Sequence, residues 1–390
     1  MHFIKAYLSC LWLLVLCVAV SQSFTDECLE TAWPPNPTRS ITTYVVDLDE
    51  PAHQRWASIA AMYKVQIKDL VDYIKVFVLK ISPKLQFLID LVDTKLPEMA
   101  DTFPSPYGDE IKGISEASGI NLGEVVLYNV FYEIFTLCTS IVAQDENGKM
   151  YHGRNLDFGL LLGWDFANDT WALSEKLRPL ILQVNFTQNG QVLYKTTTFA
   201  GYVGIITGIK PNHFSITMNE RYGIQGGYIG LIEWIFNINR QQSFVTFAMR
   251  DMLATADTFA SAVEYLSKTP LLAPCYYILA GPEAGQGVII TRSRKNADNI
   301  TLLGKDNSWF LIQTNYDHWK KPPFYDDRVT PATNCMNKYG AQNVTFPSLF
   351  NVFSSRPVLN KLTVYTALME LSTGHLESYW QYCEDPCFPW

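Results

Sequence analysis

Cys138 is the residue of this 390-residue chain whose type and position most directly suggest catalysis. It lies in Phe135-Thr136-Leu137-Cys138-Thr139-Ser140, where a helical pattern gives way to a strand pattern. A thiolate is a strong nucleophile, and a nearby positive charge lowers the pKa of its thiol. Spacing alone is also compatible with a buried or disulfide-bonded cysteine, so the position is a hypothesis at this point.

Arg154 and Asp157 could supply the charges that such a thiol needs. They lie in His152-Gly153-Arg154-Asn155-Leu156-Asp157, which follows a strand, turn and strand pattern over residues 139–153. A hairpin of this kind would bring both side chains beside Cys138. The plainer interpretation of Asp157 is a turn residue.

The familiar motifs of metal and nucleotide enzymes are absent. The sequence has no HExxH, no CxxC pair, no GxSxG, no Walker loop and no GxGxxG, and it has only six His. We therefore expect no metal and no cofactor. The formal net charge is −8 and there is no basic run, so nucleic acid is not an expected partner.

The elements that must position these residues form an N-terminal helical part and a longer strand-rich part. Strands in runs and helices in runs indicate α+β layers rather than a βαβ array, and no second independent domain is evident. The patterns predict helices over 51–96 with a break at 82–83, 121–135, 229–236, 245–253 and 259–266. They predict strands over 42–48, 181–186, 192–199, 203–207, 214–218, 276–279, 288–291 and 310–313.

The first long helix is unusually apolar. Ile67, Leu70, Val71, Ile74 and Val78 recur at helical spacing. One interpretation is that this face packs on the core. The other is that it meets lipid or a lipid carrier.

The N-terminus indicates entry into the secretory route. Residues 1–23 read as a signal peptide, with Lys5 before an apolar stretch that is too short to span a membrane. No later segment has 18 uninterrupted apolar residues, which predicts a soluble mature chain. Asn-x-Ser/Thr sequons predict N-glycosylation at Asn168, Asn185, Asn299 and Asn343.

Six cysteines remain after the signal peptide, and an oxidising compartment makes disulfides expected. Cys383 and Cys387 flank a turn with a proline, which predicts a local disulfide. The other four are Cys28, Cys138, Cys275 and Cys335. Their number is equally compatible with one disulfide and two free thiols or with two disulfides.

Several short motifs, taken together and in order, resemble the acid ceramidase family, which is related to the N-acylethanolamine acid amidases. The motifs are Cys138-Thr-Ser-Ile-Val-Ala, Gly153-Arg154-Asn155-Leu156-Asp157, Met218-Asn219-Glu220-Arg221, Gln313-Thr314-Asn315-Tyr316-Asp317 and Asp326-Asp327-Arg328. The segments 162–171 and 226–230 and the Cys383–Cys387 tail favour the ceramidase branch.

The resemblance implies an N-terminal nucleophile hydrolase with a four-layer αββα sandwich. In such enzymes the precursor cuts itself before the nucleophile, here between Leu137 and Cys138. The products would be an α-subunit, residues 24–137, and a catalytic β-subunit, residues 138–390. The freed α-amine, with a reference pKa of ~8, then serves as the local base, so activity is latent before cleavage.

The resemblance also implies roles for five other residues. Arg154 would lie beside the thiol and favour the thiolate, Asp157 would accept a hydrogen bond from the α-amine, and Asn315 would donate to the oxyanion. Glu220 and Arg328 would complete the charged network. The plainer alternatives for these segments are a turn, a surface ion pair and a solvated loop.

The family further implies a substrate, partners and a location. The substrate would be the amide of ceramide, in the lysosome or after secretion, with help from a saposin-type lipid carrier and an anionic membrane surface. A Cys28–Cys335 disulfide would join the two chains after cleavage. Cys275 is outside the family pattern, so its state stays open.

Three other functions remain open at this point. The same chemistry could act on N-acylethanolamines. The chain could instead be a secreted lipid-binding glycoprotein in which Cys138 is structural. A papain-like thiol enzyme that uses His152 as its base is a further alternative.

Overall fold

The computed structural model describes residues 28–389 except 82–89, 91, 93, 132–135, 160–162, 223–226, 236 and 239. The predicted signal peptide, the predicted helix break at 82–83 and the end of the helix predicted over 121–135 lie outside these residues. The statements below concern the described part of the chain.

Two β-sheets form the centre of the molecule. The larger has eight strands in the order β1-β6-β7-β8-β9-β10-β11-β12, and the smaller has five in the order β13-β2-β3-β14-β15. The strands are β1 Thr43–Asp47, β2 Thr136–Gln144, β3 Met150–Phe158, β4 Trp164–Asp165, β5 Thr170–Trp171, β6 Ile181–Gln188, β7 Gln191–Phe199, β8 Thr207–Lys210, β9 Phe214–Glu220, β10 Cys275–Ala280, β11 Gly287–Arg292, β12 Ala297–Leu302, β13 Phe310–Gln313, β14 Thr363–Glu370 and β15 His375–Trp380.

Ten α-helices surround the sheets in the described chain. They are α1 Ala57–Ile81, α2 Leu96–Met99, α3 Tyr107–Ser118, α4 Leu122–Phe131, α5 Ala172–Leu177, α6 Gly227–Ile235, α7 Val245–Thr255, α8 Phe259–Lys268, α9 Val329–Tyr339 and α10 Phe346–Ser354. None of the helices in the described residues is both long enough and apolar enough to span a bilayer.

The sheets stack face to face and helices cover their outer faces. His152 on β3 hydrogen-bonds to Ser215 and Thr217 on β9, so the two sheets meet through side chains. Helices α7 and α8 pack on the larger sheet, and α9 and α10 pack on the smaller one. This is a four-layer αββα sandwich, so the predicted α+β fold class is confirmed.

Helix α1 packs its apolar stripe on the core. Ile67, Leu70, Val71 and Ile74 are all buried, as the first interpretation of this helix expected. Its outer side nevertheless exposes large apolar side chains, with Met62 61%, Val65 69% and Val76 51% exposed. The side chain of Val78 lies outside the described residues.

The structure corrects two details that bear on the site. Strand β3 runs to Phe158, so Arg154 and Asp157 lie on the strand itself rather than beyond it. The strand predicted over 203–207 is wrong, because β8 begins only at Thr207. The N–H of Val203 donates to Asn129 Oδ1 and that of Ile205 donates to Thr246 O, so this backbone bonds to helical elements instead of a ladder.

Two disulfides join distant and local parts of the chain. Cys28 is bonded to Cys335, 307 positions along the chain, so this bridge spans the junction before Cys138. Cys383 is bonded to Cys387 and closes the C-terminal tail. Cys138 and Cys275 are buried thiols.

Candidate active site

The pairing of β2 with β3 places the predicted site residues around one strand. Cys138 lies opposite Leu156, Ser140 opposite Arg154 and Leu137 opposite Asp157. Opposite residues share a face and faces alternate along a strand. Cys138 and Arg154 therefore point to one side of the sheet, and Asp157 points to the other.

The Cys138 thiol contacts a guanidinium group in a closed environment. Its Sγ accepts a hydrogen bond from Arg154 Nη2, and neither side chain has any exposed surface. Burial raises the pKa of Cys138 to about 11, while the positive charge of Arg154 acts in the opposite direction. In this uncleaved chain the thiol is therefore protonated and shielded from solvent.

Arg154 is a buried cation held by neutral groups. Its Nη1 donates to Ile206 O at 3.2 Å and to Thr207 Oγ1 at 3.0 Å. The Thr207 hydroxyl in turn bonds Tyr365 Oη at 2.8 Å, and the Tyr365 ring lies 5.8 Å from the guanidinium carbon. No carboxylate among the described residues forms an ion pair with Arg154.

A second charged group lies behind the strand. Arg328 donates to the carbonyl oxygen of Cys138 at 2.8 Å and to Asp157 Oδ2 at 3.1 Å. Asp326 binds the same guanidinium with both oxygens, at 2.7 and 3.1 Å. Arg328 thus fixes the backbone just after the predicted cleavage point.

Asp157 is fully buried and hydrogen-bonded from several directions. Besides Arg328, it accepts from Thr363 Oγ1 at 2.6 Å and from Asn360 Nδ2 at 3.4 Å. Burial raises the pKa of Asp157, and the positive charge of Arg328 together with these hydrogen bonds opposes the rise. Its predicted contact with a free α-amine belongs to the cleaved form and stays a prediction.

Asn315 contacts the nitrogen of the predicted scissile bond. Its Oδ1 accepts from the Cys138 N–H at 2.8 Å and from Arg328 Nη2 at 2.9 Å. Its Nδ2 donates to the backbone oxygen of Glu220 at 2.9 Å, which fixes the orientation of the amide. The half-buried Glu220 therefore lies beside the site at the end of β9.

An ion pair joins the two segments that carry Asn315 and Glu220. Arg221 donates to Asp317 through Nε at 2.8 Å and Nη2 at 3.3 Å, and it also pairs with Asp298 on β12. Tyr276 Oη donates to the same Asp317 at 2.7 Å. Burial alone would raise the pKa of Asp317, but the hydrogen bonds from Arg221 and Tyr276 outweigh it and lower this pKa to about 2.

The structure thus gathers Cys138, Arg154, Asp157, Asn315 and Arg328 into one cluster, which Glu220 joins through its backbone oxygen, and it adds residues that the patterns did not single out. These are Thr207, Asp317, Asp326, Asn360, Thr363 and Tyr365. Asp326 had a signal, since it begins the Asp326-Asp327-Arg328 motif. Asn360 and Thr363 had none, because their segment showed no recognisable pattern.

His152 is not placed to serve Cys138 as a base. Its two ring nitrogens bond Ser215 Oγ at 2.8 Å and Thr217 Oγ1 at 3.0 Å, and burial lowers its pKa to about 3. It pairs with Val142, four positions along β2 from Cys138, or roughly 13 Å away. The geometry therefore does not support a papain-like arrangement.

The described residues contain no group of three or more His, Cys, Asp or Glu side chains that could hold a metal ion. The six predicted residues supply a thiol, two guanidinium groups, two carboxylates and an amide. Such a set can activate a sulfur nucleophile and stabilise charge on an acyl oxygen.

Comparison with known proteins gives matches that cover both parts of the chain. The family model "Linear amide C-N hydrolases, choloylglycine hydrolase family" matches residues 138–340, so its match begins at Cys138. The model "beta subunit of N-acylethanolamine-hydrolyzing acid amidase" matches residues 39–103.

Full-length relatives and one solved structure agree with these models. Acid ceramidase of Bos taurus is 43% identical over 97% of this chain and 96% of its own length, and that of Homo sapiens is 42% identical over 98% and 99%. A solved N-acylethanolamine-hydrolyzing acid amidase ortholog of Caenorhabditis elegans is 35% identical, with a TM-score of 0.53, and covers 63% of this chain and 100% of its own. The chain is therefore an amidohydrolase and belongs to the acid ceramidase family.

Proposed function

We propose that this enzyme hydrolyses the amide bond of ceramide to sphingosine and a fatty acid, with Cys138 as the nucleophile after cleavage of the Leu137–Cys138 bond. The observation that carries the roles of the residues is the buried Arg154, whose guanidinium contacts Cys138 Sγ and has no carboxylate partner in the described chain. A thiolate would supply the missing negative charge. Arg154 therefore stabilises the reactive form of the sulfur.

Self-cleavage starts from the contacts of the uncleaved chain. Cys138 Sγ attacks the carbonyl carbon of Leu137 and the bond from that carbon to the Cys138 nitrogen breaks. The thiol proton passes to this nitrogen, which becomes the free amine, and a thioester forms. Asn315 Oδ1 holds the departing nitrogen through its N–H, and Arg328 fixes the adjacent Cys138 oxygen. Water then hydrolyses the thioester, which leaves a carboxylate on Leu137 and restores the thiol of Cys138 beside its free amine.

Hydrolysis of the lipid also proceeds through a thioester on Cys138. The freed α-amine accepts the thiol proton, and the sulfur attacks the acyl carbon of ceramide. Collapse of the tetrahedral intermediate transfers that proton to the sphingosine nitrogen and leaves an acyl thioester. Water releases the fatty acid and restores the thiol. The roles of Asp157, Glu220, Asn315 and Arg328 are to orient the amine and stabilise developing charge.

Replacing the nucleophile tests this proposal. In Cys138→Ala we expect a single chain, read by N-terminal sequencing and gel mobility, and no ceramide hydrolysis. The matched control is Cys275→Ala, which removes the other buried thiol and should leave both processing and turnover intact. A processed and active Cys138→Ala protein would overturn the assignment.

The cleaved form would consist of residues 24–137 and 138–390, held together by the Cys28–Cys335 disulfide. The start of the amide hydrolase match at residue 138 supports this boundary. We expect the two chains to separate on a denaturing gel only after reduction.

Exposed side chains on the segment between Asn315 and Arg328 support contact with lipid. Trp319, Phe324 and Tyr325 are 49%, 76% and 58% exposed on this segment, and two lysines, 320 and 321, accompany them. Aromatic and cationic side chains together suit an anionic membrane surface. We propose that the enzyme acts at such a surface in the lysosome and is helped by a saposin-type carrier. For the surface, the test is Phe324→Ser, which should reduce binding to anionic vesicles without altering self-cleavage.

Hydrolysis of N-acylethanolamines is the second candidate function, because the solved relative of that activity is 35% identical to this chain. Both lipids would be assayed side by side with the processed enzyme. Faster turnover of the ethanolamide would replace ceramide as the preferred substrate, while leaving the role of Cys138 unchanged.

A further inference from the structure

Two of the four sequons lie at the edges of the eight-stranded sheet. In the described chain no strand pairs with the outer side of β12 at one edge or of β1 at the other. Asn299 lies on β12 itself, and Asn185 lies on β6 directly opposite Val45 of β1. The other two sequons lie outside this sheet, Asn168 in the turn between β4 and β5 and Asn343 at the end of the short 3-10 helix Ala341–Asn343.

The β12 edge has the features of a strand that pairs with other molecules. Ile300 and Leu302 on this strand are 47% and 56% exposed. The charge of Asp298 is engaged by Arg221 at 2.5 Å, so it gives the edge little free charge. An exposed apolar edge with open backbone groups is a template for aggregation.

The β1 edge has the same weakness. Val45 is 60% exposed at the middle of this strand. Its paired residue on β6 is the half-buried Asn185, and paired residues on neighbouring strands are about 4.8 Å apart and share a face. A group attached to Asn185 would therefore extend beside Val45.

The five-stranded sheet protects its edges by other means. Its edge strand β13 has four residues, which is a short template. The opposite edge strand β15 carries His375 and Glu377, and Ser40 forms a bridge with its residue Tyr379. The edge strands of the larger sheet, β1 and β12, have five and six residues and form no bridge on their outer sides among the described residues, but each has a sequon on or beside it.

We propose that N-linked glycans on Asn185 and Asn299 shield the two edges of the eight-stranded sheet from pairing with other chains. A glycan is much wider than the spacing of about 4.8 Å between strands, so one on Asn299 or Asn185 would reach over the open edge beside it and hinder the approach of another strand. The Thr301 hydroxyl donates to Asn299 Oδ1 at 2.8 Å, so the exposed Asn299 and the half-buried Thr301 of this sequon share one face of the strand. The inference depends on use of these sequons and not on the catalytic proposal.

The test compares the edge pair with the other pair of sequons. Asn185→Gln with Asn299→Gln removes the edge glycans, and Asn168→Gln with Asn343→Gln removes the same number elsewhere. We expect the edge variant to form several-fold more soluble aggregate by light scattering at equal concentration, with unchanged ceramide hydrolysis per mole of monomer. Equal aggregation of the two variants, or wild-type protein without glycan on Asn185 and Asn299 by mass spectrometry, would overturn the proposal.

A rescue experiment separates edge protection from a general effect of glycans on solubility. In the edge variant, Val45→Lys with Ile300→Lys places a charge on each bare edge and should restore the wild-type aggregation level. The matched control is Met62→Lys with Val65→Lys, at exposed positions of α1, which should leave the aggregation of the edge variant unchanged. Repeating the series in Cys138→Ala protein makes the result independent of processing. Rescue by the control lysines, or failure of the edge lysines, would contradict the proposal.

Discussion

Arg154 and Arg250 are both buried guanidinium groups, yet their surroundings differ in one respect. Arg250 on α7 binds Glu110 on α3 with two nitrogens, and Glu110 also accepts from Trp56 Nε1 at 2.9 Å and from Arg55 Nη1 at 3.1 Å. Every oxygen of that carboxylate is used. Arg154 has carbonyl, hydroxyl and sulfur partners and no carboxylate in the described chain.

This difference distinguishes an arginine that stabilises the fold from one that takes part in the reaction. A buried ion pair with complete hydrogen bonding neutralises itself and has little affinity left for a reacting group. A buried cation without an anion favours formation of a negative charge beside it. The Glu110–Arg250 pair therefore joins the part of the chain before Cys138 to the part after it, whereas Arg154 acts on the thiol.

Of the two arginines, Arg154 should have the larger effect on activity when it is removed. In Arg154→Met we expect kcat/KM for ceramide to fall by about 10²–10³-fold, because one charge-stabilising group is lost in a closed site. The Cys138 pKa, measured by the pH dependence of thiol alkylation in processed enzyme, should rise. Arg154→Lys keeps the charge and should lose less. A variant with a raised thiol pKa and wild-type turnover would contradict the role.

Removal of Arg250 should act on stability instead. Arg250→Met leaves the Glu110 carboxylate buried without its main partner, which costs about 3–5 kcal/mol of unfolding free energy. Turnover per mole of folded enzyme should stay close to wild type. Thermal and denaturant unfolding of both single variants would measure the contrast, and Glu110→Gln with Arg250→Met should recover part of the loss. An Arg154 variant as unstable as the Arg250 variant would remove the distinction.

The sequence predicted one side of the active site well because its signals are local. The strand pattern over 139–143, the turn at 145–148 and the second strand pattern from 150 specify the β2–β3 hairpin, and that hairpin alone brings Arg154 to the thiol. The fold and the family then followed from motifs taken together. Both were confirmed.

The other side of the site could not be predicted from local patterns. Asn360 and Thr363 bind Asp157 from a segment some 200 positions away, and β14, which begins at Thr363, is buried along its whole length. A strand buried on both faces has no polar and apolar alternation to recognise. Local patterns also could not predict the ion pair of Arg221 with Asp317, because it depends on how β9 and the loop after β13 come together.

That ion pair offers a smaller and pH-dependent test. Asp317 has a lowered pKa of about 2 in the folded chain, so its stabilising effect is complete above the unfolded value near 3.8 and is lost as pH falls through about 2. The unfolding free energy of Asp317→Asn should therefore lie about 1–2 kcal/mol below wild type throughout pH 4.5–7, and the difference should shrink at lower pH. Asp327→Asn is a control with a carboxylate on the exposed side of the neighbouring turn. A difference that disappears already at pH 5 would contradict the assignment.

The smallest effect should come from the groups that hold Arg154. Tyr365→Phe keeps the ring near the guanidinium and removes only the hydroxyl that bonds Thr207. One neutral hydrogen bond is worth about 1 kcal/mol, so we expect kcat to fall by roughly five-fold with KM unchanged. Thr207→Val removes a direct bond to Arg154 as well and should cost more. If Tyr365→Phe and Thr207→Val lowered stability while kcat stayed at the wild-type value, these residues would belong with Glu110 and Arg250 as structural groups rather than with the thiol.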